Sequence, residues 1–229
     1  MKKILHQPWG GLGDNLQFST LPERFSKLGY HFYVSNKNKY RNSEIYDLVW
    51  KLNPYVKGIS DENPNAGETG SYRRIYSDKS IIYNQESCHG IQPENEIPKI
   101  YYKPKIINEF QNKIFVDISS KSNFPIKPKD FDSYLKDKYR DFEIITPKFN
   151  DKIDNHKDSN FKYNDRIKIE SIFHFCDLIH SCKYFYCCYS GQSVLASALN
   201  KTQTTVFIKN QWKNTDWNFP NLKYEIIHE

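Results

Sequence analysis

Short apolar segments alternate with segments of helical periodicity along the first 60 residues, and this alternation restricts the chain to few folds. Apolar segments of strand length lie at 3–7, 30–35 and 55–59, and amphipathic segments at 15–28 and 40–52 separate them. A strand–helix–strand order is typical of parallel sheets, because parallel neighbours need a crossover connection. We therefore predict a parallel α/β unit at the amino-terminal end.

The same alternation begins again in the second half of the chain. Predicted strands and helices alternate there until the last strand, in the order 113–118, 131–139, 142–146, 169–179, 184–189, 194–199 and 204–208. Two successive runs of this kind predict two Rossmann-like domains, each built on its own parallel sheet.

The region between the two runs predicts little regular structure. Residues 60–79 form a long polar segment, 81–84 predict a weak strand, and 97–105 contain two prolines and resemble a connector. Proline and polar clusters usually mark loops and linkers. We therefore place the domain boundary near residue 107 and predict domains of 1–106 and 107–229.

The formal net charge of +6 and the isoelectric point of about 8.9 admit two interpretations. A basic protein can bind nucleic acid or another anionic partner. The basic residues are scattered along the chain rather than clustered, however, and Lys, Asn, Ile and Tyr are all abundant. We attribute the charge to biased composition and expect no nucleic-acid partner.

The cysteines and the apolar runs bear on the compartment. The five cysteines are an odd number and lie mostly in apolar segments, which favours buried thiols over a disulfide framework. The apolar run after Lys2 and Lys3 stops after two residues, so no signal peptide is predicted. No apolar stretch is long enough to span a membrane. We expect a cytoplasmic protein and leave peripheral association with the inner face of a membrane open.

A glycine-rich segment, Gly10-Gly11-Leu12-Gly13-Asp14, follows the first predicted strand and opens the first predicted helix. Glycine lets a ligand approach the main chain, and helix starts attract anions. Neither the dinucleotide-binding pattern nor the phosphate-loop pattern is met. The residues alone leave two alternatives, a ligand-binding loop or a tight turn in which Asp14 only caps the helix.

Two later segments could bind phosphate groups. Residues 189–193, Tyr-Ser-Gly-Gln-Ser, lie between a predicted strand and an apolar helix, where backbone amides could hold a diphosphate or simply form an ordinary capped turn. Residues 119–122, Ser-Ser-Lys-Ser, follow another predicted strand and combine a lysine with hydroxyl groups. By itself this second segment is also typical of a polar surface loop.

These segments together resemble the ADP-heptose–lipopolysaccharide heptosyltransferases, glycosyltransferase family 9. Residues 11–22 are similar to the opening of that family, where a Gly-Asp pair precedes a short apolar stretch and a Leu-Pro or Thr-x-Pro sequence. Residues 169–179 and 189–199 are similar to its carboxy-terminal helix, strand, turn and helix. The resemblance implies a GT-B fold, which is α/β with two Rossmann-like domains whose parallel sheets face across a cleft. Residues 1–106 would form the acceptor-side domain and residues 107–229 the nucleotide-sugar-binding domain.

The resemblance also implies a function and a set of site residues. The chain would be an inverting, metal-independent glycosyltransferase, hexosyl- or heptosyltransferase-like, that takes a nucleotide-sugar donor and a glycan or other hydroxyl acceptor in glycan biosynthesis. Asp14 would be the general base, and Glu170 could contact the ribose or base or merely begin a helix. The implied donor-binding residues are Gly11, Gly13, Ser120, Lys121, Ser190, Gly191, Gln192 and Ser193.

Several features depart from the family pattern and keep an alternative open. Tyr189 stands where the family usually has aspartate, Ser193 or Val194 stands in place of a histidine, and the chain is shorter than most members. The resemblance implies a metal-independent reaction, and we expect neither a metal nor a cofactor. The alternative is a non-catalytic nucleotide- or glycan-binding protein on a degenerate GT-B scaffold.

Overall fold

The computed structural model describes residues 1–67, 72–118, 128–149 and 166–226, and within these it describes all side chains except those of residues 128–132 and 212. Two parallel sheets organise the described chain. The amino-terminal sheet has the strand order β3-β2-β1-β4. Its strands are β1 (Lys2–His6), β2 (His31–Ser35), β3 (Val56–Ser60) and β4 (Ala66–Gly67).

Four helices accompany the amino-terminal sheet: α1 (Leu12–Leu16), α2 (Leu21–Lys27), α3 (Ser43–Tyr46), which continues as a π-helical turn over Asp47–Lys51, and α4 (Ile81–Cys88). The helix predicted at 15–28 is therefore two helices. Pro22 lies in the first turn of α2, where its missing N–H removes no hydrogen bond.

The strand predicted at 81–84 is wrong, because these residues begin α4. The Ser80 hydroxyl accepts a hydrogen bond from the Tyr83 N–H at 3.4 Å and caps the helix. The Asn84 side chain is fully buried and donates to the carbonyl of Ser80 at 3.1 Å. The apolar run is too short to distinguish a strand from a helix by its pattern. The hydrogen bonds of Ser80 and Asn84 favour the helix.

The carboxy-terminal sheet has the order β10-β9-β8-β5-β6-β7, and all the paired strands are parallel. The strands are β5 (Ile114–Asp117), β6 (Ile144–Lys148), β7 (Arg166–Lys168), β8 (Tyr184–Cys188), β9 (Thr204–Ile208) and β10 (Lys223–Ile226). The helices are α5 (Pro128–Lys138), α6 (Ile172–Ser181) and α7 (Gly191–Ala198), with short 3-10 turns at Asn108–Phe110 and Asn210–Trp212. The sequence predictions miss both edge strands of this sheet, β7 and β10.

One hydrophobic core extends through both halves of the molecule. It includes Leu5 and Phe32 from the amino-terminal sheet and Phe115 and Phe185 from the carboxy-terminal sheet. A smaller cluster around Tyr186 covers the other face of the carboxy-terminal sheet, under α5. Because the larger core is shared, burial of apolar surface stabilises the two halves together.

The connector between the sheets is hydrogen-bonded to the turn between α1 and α2 on one side and to α6 on the other. The Lys99 N–H donates to the Ser19 hydroxyl at 2.8 Å, and the Lys105 N–H donates to the Asp177 carboxylate in α6 at 2.8 Å. The Ile107 N–H donates to Ser181, also in α6, at 2.8 Å. The domain division at residue 107 stays a prediction.

The cysteines are all free thiols. Cys176, Cys182, Cys187 and Cys188 are buried, as predicted, whereas Cys88 is only half-buried. Burial raises the pKa of the Cys182 thiol to about 12. Within the described ranges, no helix combines the length and apolarity that crossing a membrane requires.

Candidate active site at the meeting of two turns

The first turn of the site connects β1 to α1. The fully buried Gln7 side chain binds both main-chain groups of Trp9, accepting from its N–H and donating to its carbonyl. The Asn15 side chain, also buried, donates to the Gly11 carbonyl at 2.8 Å and accepts from the Trp50 indole at 2.9 Å. These buried amides fix the path of the glycine-rich segment from below.

Asp14 lies in α1, on the exposed side of this turn. Its Oδ2 accepts a hydrogen bond from the Gly11 N–H at 3.0 Å. Its other oxygen, Oδ1, has no hydrogen-bond partner among the residues described. Asp14 is half-buried. The carboxylate is thus held in one orientation by the main chain and retains a free acceptor oxygen.

The loop after β2 brings Arg41 beside the same turn. The Arg41 N–H donates to the Gly10 carbonyl at 2.9 Å. A Cβ added to Gly10 would lie only 2.9 Å from the Arg41 nitrogen, so this approach requires glycine. A Cβ added to Gly11 would lie 3.8 Å from Arg41 Cζ and 2.5 Å from Asp14 Oδ2. The guanidinium and the carboxylate therefore flank the same glycine.

The second turn connects β8 to α7. The Ser193 N–H donates to the Ser190 carbonyl at 3.1 Å, and the Ser193 hydroxyl donates to the same oxygen at 2.7 Å. Ser193 is buried, whereas Ser190, Gly191 and Gln192 are half-buried. The turn therefore presents three of its four predicted site residues at the surface and uses the fourth to hold itself together.

The two turns are in direct contact. A Cβ added to Gly13 would lie 3.4 Å from Gly191 Cα, and one added to Gly191 would lie 3.3 Å from the Gly13 nitrogen. Both turns follow the carboxyl end of a parallel strand, β1 in one sheet and β8 in the other. Parallel α/β proteins bind ligands at that end of the sheet. The structure thus brings Asp14, Gly11 and Gly13 next to the turn at 190–193.

A segment near the carboxyl end crosses the junction. The Trp217 ring lies 3.8 Å from the position of an added Gly13 Cβ. Asp216 accepts from the Tyr72 hydroxyl with its carboxylate and from the Ile81 N–H with its carbonyl. Burial raises the pKa of the Asp216 carboxyl above its ordinary value. This segment joins the carboxy-terminal half to the start of α4.

Tyr189, which stands where the resemblance implies an aspartate, follows β8 and forms a hydrogen bond through its hydroxyl with Thr215. Burial raises its pKa to about 12. The phenol therefore stays neutral near pH 7 and offers no carboxylate in that position.

The remaining predicted residues have different outcomes. Ser120 and Lys121 lie outside the described residues. Glu170 is exposed, and its N–H donates to the His174 ring at 3.3 Å. At the start of α6 the acceptor for the Ile172 N–H is Glu44 Oε2, from the amino-terminal half, at 2.8 Å. Glu44 therefore caps this helix across the junction, which the sequence alone did not indicate.

Sequence reasoning missed the side chains that the loop after β2 and the crossing segment supply. Arg41, Glu44, Asp216 and the exposed Trp9 belong to no recognisable motif, and only the fold brings Arg41 to the glycine-rich turn. Within the part of the chain that the structure describes, no three His, Cys, Asp or Glu side chains are grouped so that they could hold a metal ion.

Comparison by sequence yields no relative: no protein-family model matches the chain, and no curated protein matches it. Comparison by structure does. The chain is similar to the iron-containing dodecameric glycosyltransferase TibC of enterotoxigenic E. coli, with a TM-score of 0.68 and 14% identity, over 99% of this chain and 63% of TibC. It is similar to E. coli heptosyltransferase WaaC with ADP, with a TM-score of 0.68 and 8% identity, over 98% of this chain and 92% of WaaC.

A third similar structure is a family 9 glycosyltransferase of Veillonella parvula, with a TM-score of 0.62 and 9% identity, over 99% of this chain and 85% of that protein. These likenesses establish the fold. The chain has the GT-B architecture of the heptosyltransferases, and the predicted fold class of two parallel α/β sheets is confirmed. The chain spans about 63% of the length of TibC.

Proposed function

We propose that this chain is an inverting, metal-independent glycosyltransferase that moves a sugar from a nucleotide-sugar donor to a hydroxyl group of its acceptor. One observation carries the proposal. Two turns from the carboxyl ends of separate parallel sheets meet at Gly13 and Gly191, and an oriented carboxylate, Asp14, stands beside the contact.

The donor would bind on the side of α7. The first N–H groups of a helix have no carbonyl partner within the helix and attract anionic oxygens. Ser190, Gly191 and Gln192 present such a helix start at the surface. We assign Gly11 and Gly13, on the facing turn, to the binding of the donor diphosphate. We assign Ser120 and Lys121 to the same diphosphate. Because WaaC was solved with ADP, ADP-sugars are the first donors to test.

The acceptor would react on the side of Asp14. A hydroxyl group is a weak nucleophile, and a positioned carboxylate assists it by taking its proton. The free Oδ1 of Asp14 would take the proton as the acceptor oxygen bonds to the anomeric carbon. The bond from that carbon to the donor phosphate breaks in the same step, which inverts the configuration. The nucleotide leaves with its negative charge, which the α7 start stabilises.

A second candidate function has an observation in its favour. The Asp14 carboxylate already accepts the Gly11 N–H, which gives it a structural role in the turn. A non-catalytic protein that binds a nucleotide or a glycan on this scaffold would keep that contact and have no turnover. We further propose that the chain divides into two domains at residue 107 and that it acts in glycan biosynthesis. We place it in the cytoplasm, in peripheral contact with a membrane.

A donor screen followed by turnover separates the two functions. Because a ligand that binds only the native state raises the melting temperature, the chain is screened against UDP-, GDP-, ADP-, CMP- and dTDP-sugars. We expect one nucleotide class to stabilise it and the corresponding sugar to be released or transferred, equally well in EDTA. Stabilisation without any turnover would favour the binding protein. A product with retained anomeric configuration would contradict inversion.

A further inference from the structure

Two buried glutamine side chains connect helix α4 to the turn that carries Asp14. Gln17 follows α1 directly and Gln85 lies in the middle of α4, and their exposed fractions are only 3% and 2%. A buried amide is costly unless its hydrogen bonds are made. The partners of these two side chains therefore decide what the pair contributes.

The first partner is the main chain of Asp14. Helix α1 ends at Leu16, and the last carbonyls of a helix have no donor within that helix. The Phe18 N–H, which would bind the Asp14 carbonyl in a longer helix, donates instead to the Asn15 carbonyl at 3.2 Å. The Gln17 Nε2 takes its place and donates to the Asp14 carbonyl at 3.0 Å. A buried side chain thus fixes the main chain of Asp14.

The second partner comes from α4. The Gln85 Nε2 donates to the Gln17 Oε1 at 2.9 Å, which fixes the orientation of the Gln17 amide and directs its Nε2 to Asp14. The hydrogen bonds run in one direction, from Gln85 through Gln17 to Asp14, and neighbouring bonds in such a chain strengthen one another. Removal of the Gln85 donor would leave a buried amide oxygen without its partner.

Helix α4 is itself attached at both ends. At its start, the Ile81 N–H donates to the Asp216 carbonyl of the carboxy-terminal half. At its end, the His89 Nε2 accepts the Gly67 N–H of β4 at 2.9 Å, and the His89 Nδ1 lies 2.7 Å from the Gln85 carbonyl. Because both ends of the helix are fixed, Gln85 has a defined position beneath the glycine-rich turn.

We infer that Gln17 and Gln85 are positioning residues for Asp14 and set the direction of its carboxylate. The Gly11 N–H holds the carboxylate from the side of the turn, and the glutamine pair holds the main chain from the core. A general base acts only within hydrogen-bond reach of the proton that it takes, and a displacement of about 1 Å can lower a rate by about 10²-fold. Buried supporting residues with satisfied hydrogen bonds provide that accuracy.

This inference rests on the proposed function, because it takes Asp14 as the group that receives the proton of the reacting hydroxyl. It assigns two buried residues to the reaction, although neither of them would touch a substrate. It also makes the orientation of the base depend on α4 and, through the contact between Ile81 and Asp216, on the docking of the carboxy-terminal half.

Amide hydrogen exchange on the unliganded full chain tests the inference without a substrate. The variant is Gln85→Met, which keeps the unbranched shape of the side chain and removes its donor. The matched control is Asn53→Ala, which removes another buried amide of the same half, bound to main-chain groups away from Asp14. The exchange of the Gly11 N–H reports on its bond to the Asp14 carboxylate, and the amides of β2 report on global unfolding.

We expect Gly11 exchange to accelerate by about tenfold in Gln85→Met, beyond any change in the β2 amides. In Asn53→Ala the two should change together. The double variant Gln17→Met/Gln85→Met should regain part of the melting temperature that Gln85→Met loses, because neither amide is left buried without its partner. Its Gly11 exchange should stay fast, because the Asp14 carbonyl still lacks its donor.

Hydrolysis of ADP-heptose as the probe donor supplies a second measurement. In Gln85→Met, kcat should fall by about tenfold while KM stays within about twofold, because the pair acts on the base and the donor is assigned to the start of α7. Gly11 exchange that only follows β2, or an equal loss of kcat in Asn53→Ala, would overturn the inference. A chain without any turnover would instead count against the transferase proposal, and Gly11 exchange alone would then decide whether the glutamines position Asp14.

Discussion

The two turns that meet at the Gly13–Gly191 contact both connect a parallel strand to a helix, but their side chains differ in charge. The turn after β1 carries the Asp14 carboxylate and the exposed Trp9 indole, and the loop after β2 places the Arg41 cation beside it. The turn after β8 carries only hydroxyl, amide and main-chain groups and leads into an eight-residue helix whose middle residues are buried. A helix start with neutral side chains favours the binding of an anion. The turn that carries Asp14 favours the binding of a hydroxyl group that can give up its proton.

The two turns also differ in which residues hold them in place. In the amino-terminal half, buried side chains such as Gln7 and Asn15 hold the turn from beneath, which leaves its surface free for ionisable groups. In the carboxy-terminal half the turn is held by Ser193, one of its own residues. Conservative substitution of the exposed side chains in the first turn should therefore change chemistry with little effect on folding, and substitutions in the second turn should change binding and stability together.

The largest expected effect comes from Asp14→Asn. The amide keeps an oxygen to accept the Gly11 N–H but cannot take a proton, so turnover should fall by about 10²- to 10⁴-fold while nucleotide binding persists. Steady-state kinetics and thermal shift on the same samples measure the two properties. Asp47→Asn, which removes a surface carboxylate paired with Lys51, is the matched control and should keep full turnover. Turnover that survives in Asp14→Asn would remove Asp14 from the chemistry.

The second largest effect should come from Gly191→Val. A Cβ at this position already lies 3.3 Å from the Gly13 nitrogen, so a branched side chain forces the two turns apart. We expect a loss of about 1–3 kcal/mol in the free energy of unfolding, as for overpacking, together with weaker nucleotide binding. Gly191→Ala should show a smaller loss in urea unfolding, and Ala198→Val, at the far end of the same helix, should leave nucleotide binding intact. Equal stability and equal nucleotide binding in all three variants would contradict a tight contact between Gly191 and Gly13.

A smaller effect is expected at the second contact between the halves. Glu44→Gln keeps a hydrogen-bond acceptor for the Ile172 N–H but removes the negative charge at the start of α6. The free energy of unfolding should fall by about 0.5–1 kcal/mol, and the loss should shrink in high salt. Glu62→Gln, which breaks an exposed pair with Lys2, serves as the control and should cost less. A Glu44 variant with unchanged stability would show that this cap contributes nothing.

The smallest expected effect is a loss of stability at low pH that is confined to the amino-terminal half. The His89 Nε2 accepts the Gly67 N–H at 2.9 Å beside β1, and burial lowers the pKa of this imidazole below its ordinary value. Its stabilising contribution is therefore complete above about pH 6.5 and is lost as the pH falls through the folded-state pKa.

Amide exchange, corrected for intrinsic rates, should therefore show weaker protection of β1 and β4 at pH 5 than at pH 7, with less change in β8 and β9. A uniform change across both sheets would contradict this assignment, and so would the same local loss in His89→Gln.

The sequence predicted the alternation of strands and helices well, because buried parallel strands are continuous apolar runs such as 204–208. It missed β7 and β10, since edge strands such as Arg166–Lys168 bury too little to show a pattern. It also missed β4, whose two residues lie within the polar segment predicted as a loop at 60–79. At the site it indicated the two turns and Asp14, whose motifs are local. It could not indicate Arg41 or Glu44, because their roles depend on which loops the parallel sheet brings side by side.

The connector gives the molecule a mechanical property. Its main chain is pinned to Ser19 at one end and to Asp177 at the other, so only the five residues from 100 to 104 lie between the two attachment points. Such a short strap permits rocking but not wide separation, because each peptide unit spans only a few ångströms. If a donor binds at the Gly13–Gly191 junction as proposed, the two halves can therefore separate around it only by small tilts, on the edge of the junction away from the connector.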